Sequence, residues 1–147
     1  MKFVFILLTF ISFNSFAQTA EENVRETINK MFFGMKNVDT EMLKNSFADS
    51  VIFQTIQSKN GEVIIKNENM DEFFSFVGTQ EKNALDEQIT FGVVKVDGPL
   101  AIVWTPYKFY YNGKFTHCGV NSFQLVLMNG KWKIQYLIDT RRKEGCD

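Results

Sequence analysis

The sequence is short of the residues that most often announce a reaction. Its 147 residues contain one histidine, two cysteines and two prolines. A lone histidine with no clustered cysteine or aspartate supplies no ligand set for a metal. No cofactor motif occurs, and no cofactor is expected. Basic charge is not in excess either, with 16 Lys and Arg against 17 Asp and Glu. Nucleic acid is therefore not an expected partner, because phosphate binding needs clustered cations. Arg141-Arg142-Lys143 is the one dense cationic run, and Glu144 and Asp147 flank it as in a solvated terminus. Internal repeats, low-complexity tracts and linkers are absent too.

Long apolar runs are also missing. Phe3 to Phe13 is the longest, too short for the roughly 20 residues that span a bilayer. Lys2 precedes it and Ser15-Phe16-Ala17 follows, with small residues at the two positions a signal peptidase reads. Residues 1–17 therefore read as a signal peptide. No cysteine follows the run to take a lipid. Cleavage after Ala17 leaves residues 18–147 as a single domain, exported to the periplasm or secreted, with no membrane span. That domain has 15 basic and 17 acidic residues, a net charge near −2. Its length suffices for one real core.

What is present is a set of strands. Ala101 to Tyr111, Lys114 to Leu127 and Trp132 to Ile138 are rich in β-branched and aromatic residues. Asn112-Gly113 tolerates the positive φ of a two-residue hairpin turn, and Asn129-Gly130 marks the second turn. Uninterrupted pairing from those turns sets Trp104 opposite Asn121 and Phe123 opposite Tyr136. Trp104, His117, Asn121, Phe123 and Tyr136 then share one mostly apolar face with a few polar groups. Such a face suits the wall of a small-molecule pocket and equally a face covered by helices. A single bulge would exchange the faces on one side of it, and Gly119 is the expected place. Thr105, Tyr107, Phe109 and Tyr111 fall on the outer face in this register.

Helices precede the sheet. Thr19-x-x-Glu22 is a capping box, and Val24, Ile28, Met31, Phe32 and Met35 form one stripe at helical spacing. Asp39 caps a second short helix carrying Met42, Leu43 and Phe47. Val51 to Gln57 reads as a strand, Glu62 to Lys66 as its partner, and Asn67 to Val77 as a third helix. Gln88 to Val96 reads as a strand turned into the central sheet by Asp97-Gly98-Pro99. Helices first and a largely antiparallel sheet after them give an α+β fold.

The two cysteines, Cys118 and Cys146, allow one intramolecular pairing in an oxidising compartment. Ladder pairing sets Cys118 opposite Arg141, five residues short of Cys146. The alternatives are a disulfide made by a tail that folds back, or a buried thiol and a free one. His117 is next to Cys118 but points to the other face, so the two form no dyad.

Leu43-x-x-x-Phe47-Ala48-Asp49, the Asp97-Gly98 turn before Leu100-Ala101-Ile102-Val103-Trp104, and Asn129-Gly130-Lys131-Trp132-Lys133-Ile134 resemble segments of the nuclear transport factor 2-like superfamily, in its SnoaL-like branch. The likeness runs from about Glu21 to Thr140. It implies a cone in which a curved sheet is closed by three helices around an apolar cavity, and a homodimer through the outer sheet face. Enzymatic members use inward carboxylates, Tyr or His for acid–base work. Asp97 is the one carboxylate between Gln88 and Ile138, and it sits in a turn. Asp139 follows, near the expected mouth. The missing interior carboxylate favours a non-catalytic pocket for a small apolar or aromatic ligand, lined by Trp104, His117, Asn121, Phe123, Tyr110 and Tyr136. One alternative is an isomerase, cyclase or dehydratase using His117 as acid–base, with Asp49 orienting it and Asn121 or Tyr110 as donor. The other is an interaction module that dimerises through Thr105, Tyr107, Phe109 and Tyr111.

Overall fold

The computed structural model describes residues 19–59 and 61–146, so the signal-peptide reading of residues 1–17 lies outside them. Helix α1 spans Ala20–Asn37 and opens on the capping box, with Thr19 and Glu22 each accepting from the other's backbone N–H. Its apolar stripe is buried as the spacing requires: Val24, Ile28, Met31, Phe32 and Met35 all face the core. Helix α2 spans Thr40–Asn45 with Asp39 as its N-cap. Helix α3 spans Met70–Gly78, starting three residues later than the pattern suggested because Asn69 caps it.

Among the described residues seven strands form one sheet. They are β1 (Phe47–Lys59), β2 (Glu62–Asn67), β3 (Leu85–Ile89), β4 (Val93–Asp97), β5 (Leu100–Tyr111), β6 (Lys114–Met128) and β7 (Lys131–Thr140). Their order is β2-β1-β7-β6-β5-β3, with β4 continuing the β3 edge along β5. Only β1 and β7 run parallel; every other pair is antiparallel. The fold is the expected α+β arrangement, helices followed by a curved, open, antiparallel-rich sheet. Phe123, Leu125 and Ile134 from the sheet meet Val24, Ile28 and Leu43 from the helices in the core. Phe32 contributes an edge-on contact to Phe123 at 6.2 Å between ring centres.

Two bulges correct the expected register. Between Phe109 and Tyr110 the β5–β6 pairing slips by one residue, with Thr116 as the extra residue. Beyond it Asn121 faces Thr105, and Trp104 faces Ser122. Between Gln124 and Leu125 the β6–β7 pairing slips likewise around Gln135, so Phe123 faces Leu137 and Gln124 faces Tyr136. A one-residue slip inverts the alternation. Trp104 therefore stands on the outer face, 47 % exposed, whereas Thr105 and Tyr107 are buried inside. Tyr136 is on the outer side too, its hydroxyl donating to Gln54 at 2.7 Å. Tyr110 is at the hairpin tip, edge-on against Phe115. Thr105, Tyr107, Phe109 and Tyr111 do not form an outer patch.

Gly119 is not bulged. It is needed for another reason: a Cβ there would stand 1.7 Å from the Thr140 carbonyl oxygen. The close approach continues the β6–β7 ladder to a bridge between Cys118 and Arg142, one residue beyond the expected Arg141 because of the Gln135 bulge. The tail then turns back, and Cys118 and Cys146 form a disulfide with Cα atoms 5.7 Å apart.

Candidate functional site

The two bulges assemble a polar row across an otherwise apolar interior. Thr55 on β1 is beside Asp139 on β7, Asp139 opposite Asn121 on β6, and Asn121 opposite Thr105 on β5. These are four of the five buried polar residues among the described residues. Burying that much polarity in one row is costly unless the groups satisfy one another, and most do. The Tyr107 hydroxyl lies 3.1 Å from Asp139 Oδ2 and 2.9 Å from the Thr140 carbonyl, both acceptors. Arg141 Nε donates to Asp139 Oδ2 at 2.9 Å, and its Nη2 donates to Thr55 Oγ1 at 3.1 Å. Asn121 Nδ2 donates to Glu87 Oε1 at 2.8 Å and is 3.4 Å from Thr105 Oγ1. Asp139 Oδ1 is the exception. It is buried and has no hydrogen-bond partner among the described residues.

A cavity of about 680 Å³ opens over this row. Met31 and Met35 from α1 and Phe73 and Phe76 from α3 wall it, while Glu87, His117, Asn121, Asp139 and Arg141 line its polar end. Of the expected site residues, His117 and Asn121 line the cavity. Phe123 is fully buried in the core. Trp104 and Tyr136 point elsewhere for the register reasons given above, and Tyr110, at the hairpin tip against Phe115, is not among the lining residues. Asp49 is exposed near the start of β1 and is not among the cavity-lining residues, so it does not orient His117 there. His117 instead contacts the rings of Phe109 and Tyr107. Burial, reinforced by the Arg141 cation, lowers its pKa below the ordinary histidine value.

Glu87 is the residue that the sequence reading missed. The expected strand began at Gln88, which left Glu87 outside the sheet. Leu85-x-Glu87-x-Ile89 is in fact one face of β3. That alternation was the available signal. Glu87 is half-buried and lines the cavity. Burial, aided by the Asp139 charge and opposed by the Asn121 amide and the Arg141 cation, pushes its pKa from 4.5 up to about 7. Tyr107 is pushed well above its ordinary value by burial and by the Asp139 and Glu87 charges. The polar end therefore contains a carboxyl that changes charge near neutrality, beside a tyrosine that keeps its proton.

No family model matches the sequence, and no curated protein matches it. Solved structures do. An NTF2-like protein of unknown function from Shewanella baltica aligns at TM-score 0.63 and 13 % identity, over 83 % of this chain and 93 % of that one. An NTF2-like protein of unknown function from Methylobacillus flagellatus aligns at TM-score 0.64 and 12 % identity, over 82 % and 90 %. A protein of unknown function with a cystatin-like fold from Nostoc punctiforme aligns at TM-score 0.66 and 13 % identity, over 86 % and 95 %. The chain has the NTF2-like, cystatin-like fold. At these identities the likeness speaks for the fold alone, and function rests on the site.

Proposed function

We propose that this chain is an exported receptor that holds a small molecule with an apolar body in the cone, as a member of the SnoaL-like branch. The observation that carries the reading is the cavity itself. About 680 Å³ of space between Met- and Phe-bearing helices and a polar sheet floor is the size and composition of a ligand pocket. Export is supported by the leader-like residues 1–17 and by the Cys118–Cys146 disulfide, a bond that persists in oxidising compartments. Exposed Leu100, Ile102 and Trp104 on β5 support a homodimer through the outer face, and sedimentation as a monomer refutes it. The pocket is tested by following the melting temperature against a panel of aromatic and lipid-like compounds. Binding raises the midpoint with concentration; an unmoved midpoint across the panel refutes the reading.

A second reading has one observation in its favour. Glu87, rather than His117 with Asp49, is the group placed to exchange a proton near neutral pH, with Asn121 and Tyr107 close by. In that reading Glu87 takes a proton from carbon next to a ligand carbonyl. Deuterium exchange into a bound ketone, lost in Glu87→Gln, supports it; exchange that is absent or survives the substitution rejects it.

A further inference from the structure

We infer that the polar end of the cavity receives the positively charged nitrogen of an apolar amine. This rests on the pocket reading and names the ligand class. The first ground is a surplus of acceptors. Most of the row's hydrogen bonds run among its own members: the Tyr107 hydroxyl faces Asp139 Oδ2 and the Thr140 carbonyl, Arg141 Nε donates to Asp139 Oδ2, Arg141 Nη2 to Thr55, and the Asn121 amide to Glu87. Two carboxyl groups remain incompletely served. Asp139 lines the cavity, is only 4 % exposed, and its Oδ1 has no partner. The Asn121 amide engages only Oε1 of Glu87. A buried unpaired acceptor is costly, and a ligand that donates there recovers the loss.

The second ground is charge. Glu87 and Asp139 line this end with Arg141, which is held by Asp139 and Thr55, and the Lys143 cation is near enough to act on His117. Elsewhere in the lining Glu68 and Glu72 outnumber Lys66, Lys66 is paired with Glu68 at 2.7 Å, and the Glu68 charge also acts on Arg141. His117 faces the same end, with its pKa lowered toward the neutral form. Helix α1 contributes Met31, Phe32 and Met35 and no charge. A ligand carboxylate entering here meets two carboxyl groups, and the one cation among the lining residues at this end, Arg141, is already bonded to Asp139 and Thr55. An ammonium meets its counter-charge and its acceptors together. The aromatic faces of Phe53, Phe73 and Phe109 around the cavity also favour a cation. The apolar body then lies between Met35, Phe73 and Phe76. Because Glu87 holds a proton up to about pH 7, an arriving ammonium favours its ionised form and binding releases that proton.

The test uses titration calorimetry on the disulfide-bonded protein at pH 6.5. The probes are 4-phenylbutylamine, 4-phenylbutanol and 4-phenylbutyrate, and the same three head groups on a dodecyl chain. The amine of a set is expected to bind about tenfold or more tightly than its alcohol, and the carboxylate most weakly. Its enthalpy is expected to vary with buffer ionisation enthalpy, the mark of proton release. Glu87→Gln keeps the shape of the side chain. It is expected to remove the proton release and most of the amine preference over the alcohol. Equal affinity for amine and alcohol, or tightest binding of the carboxylate, overturns the amine assignment and leaves the pocket reading standing. Absence of binding by all six probes at millimolar concentration overturns both.

Discussion

Replacing Glu87 by Gln isolates the energetic consequence of the polar row. In the folded protein the Glu87 carboxyl titrates at about 7, against 4.5 as its ordinary value. Below about pH 4.5 it is protonated in both the folded and unfolded states, and its ionisation contributes nothing. Between about 4.5 and 7 the unfolded chain ionises while the native state retains the proton, so the native state binds more protons and stability falls as pH rises. Above about 7 both forms are ionised and the penalty is constant. At 1.36 kcal/mol per pH unit the full penalty is about 3 kcal/mol. The Gln side chain preserves the shape without the ionisation, and so escapes this penalty. Glu87→Gln is therefore expected to match the wild type near pH 4 and to exceed it by about 3 kcal/mol at pH 8, or roughly 10 °C in melting temperature for a domain of this length. The assay is denaturant unfolding of both proteins at intervals from pH 4 to 8. His117, whose pKa is lowered, titrates with the opposite slope, so the difference between the proteins is the informative quantity rather than either curve. A difference that is flat across this range refutes the claim that the fold keeps Glu87 protonated near neutrality.

Other substitutions probe the frame around it. Gly119→Ala sets a methyl group 1.7 Å from the Thr140 carbonyl, so the end of β7 must move; a loss of about 3 kcal/mol or more is expected in urea unfolding, and a near-neutral result contradicts the close approach. Replacing Cys118 and Cys146 together by Ser opens a loop whose ends are 28 residues apart, with an expected cost of about 3 to 4 kcal/mol, checked by comparison with the oxidised wild type. Tyr107→Phe removes the hydroxyl beside Asp139 Oδ2 and the Thr140 carbonyl; about 1 to 3 kcal/mol should be lost by thermal unfolding, more than for an exposed tyrosine.

The elements were legible in the sequence because local chemistry decides them. The capping box at Thr19, the stripe from Val24 to Met35, the Asp39 cap and the two Asn-Gly turns act within a few residues, and each appears where its pattern places it. The order of those elements was enough to indicate the α+β class, and the cone came from the resemblance. The edges of β3 were less legible, since Asp86-Glu87-Gln88 is polar throughout; the Leu85-x-Glu87-x-Ile89 alternation is the one local signal, and the pairing of Glu87 with Phe109 fixes the strand.

The sequence by itself determined the helices, the hairpins and the kind of fold. Tertiary structure alone decided which side of each strand is the inside. A bulge adds one residue to one strand, and because side chains alternate with period two, that single residue sends Trp104 to the surface and draws Thr105 and Tyr107 into the core. The second bulge does the same on β7 for Tyr136 and Asp139. No local preference marks Thr116 or Gln135 as the extra residue. They show only in the pairing of the strands, and with them comes the row of polar groups that gives the cavity its chemistry.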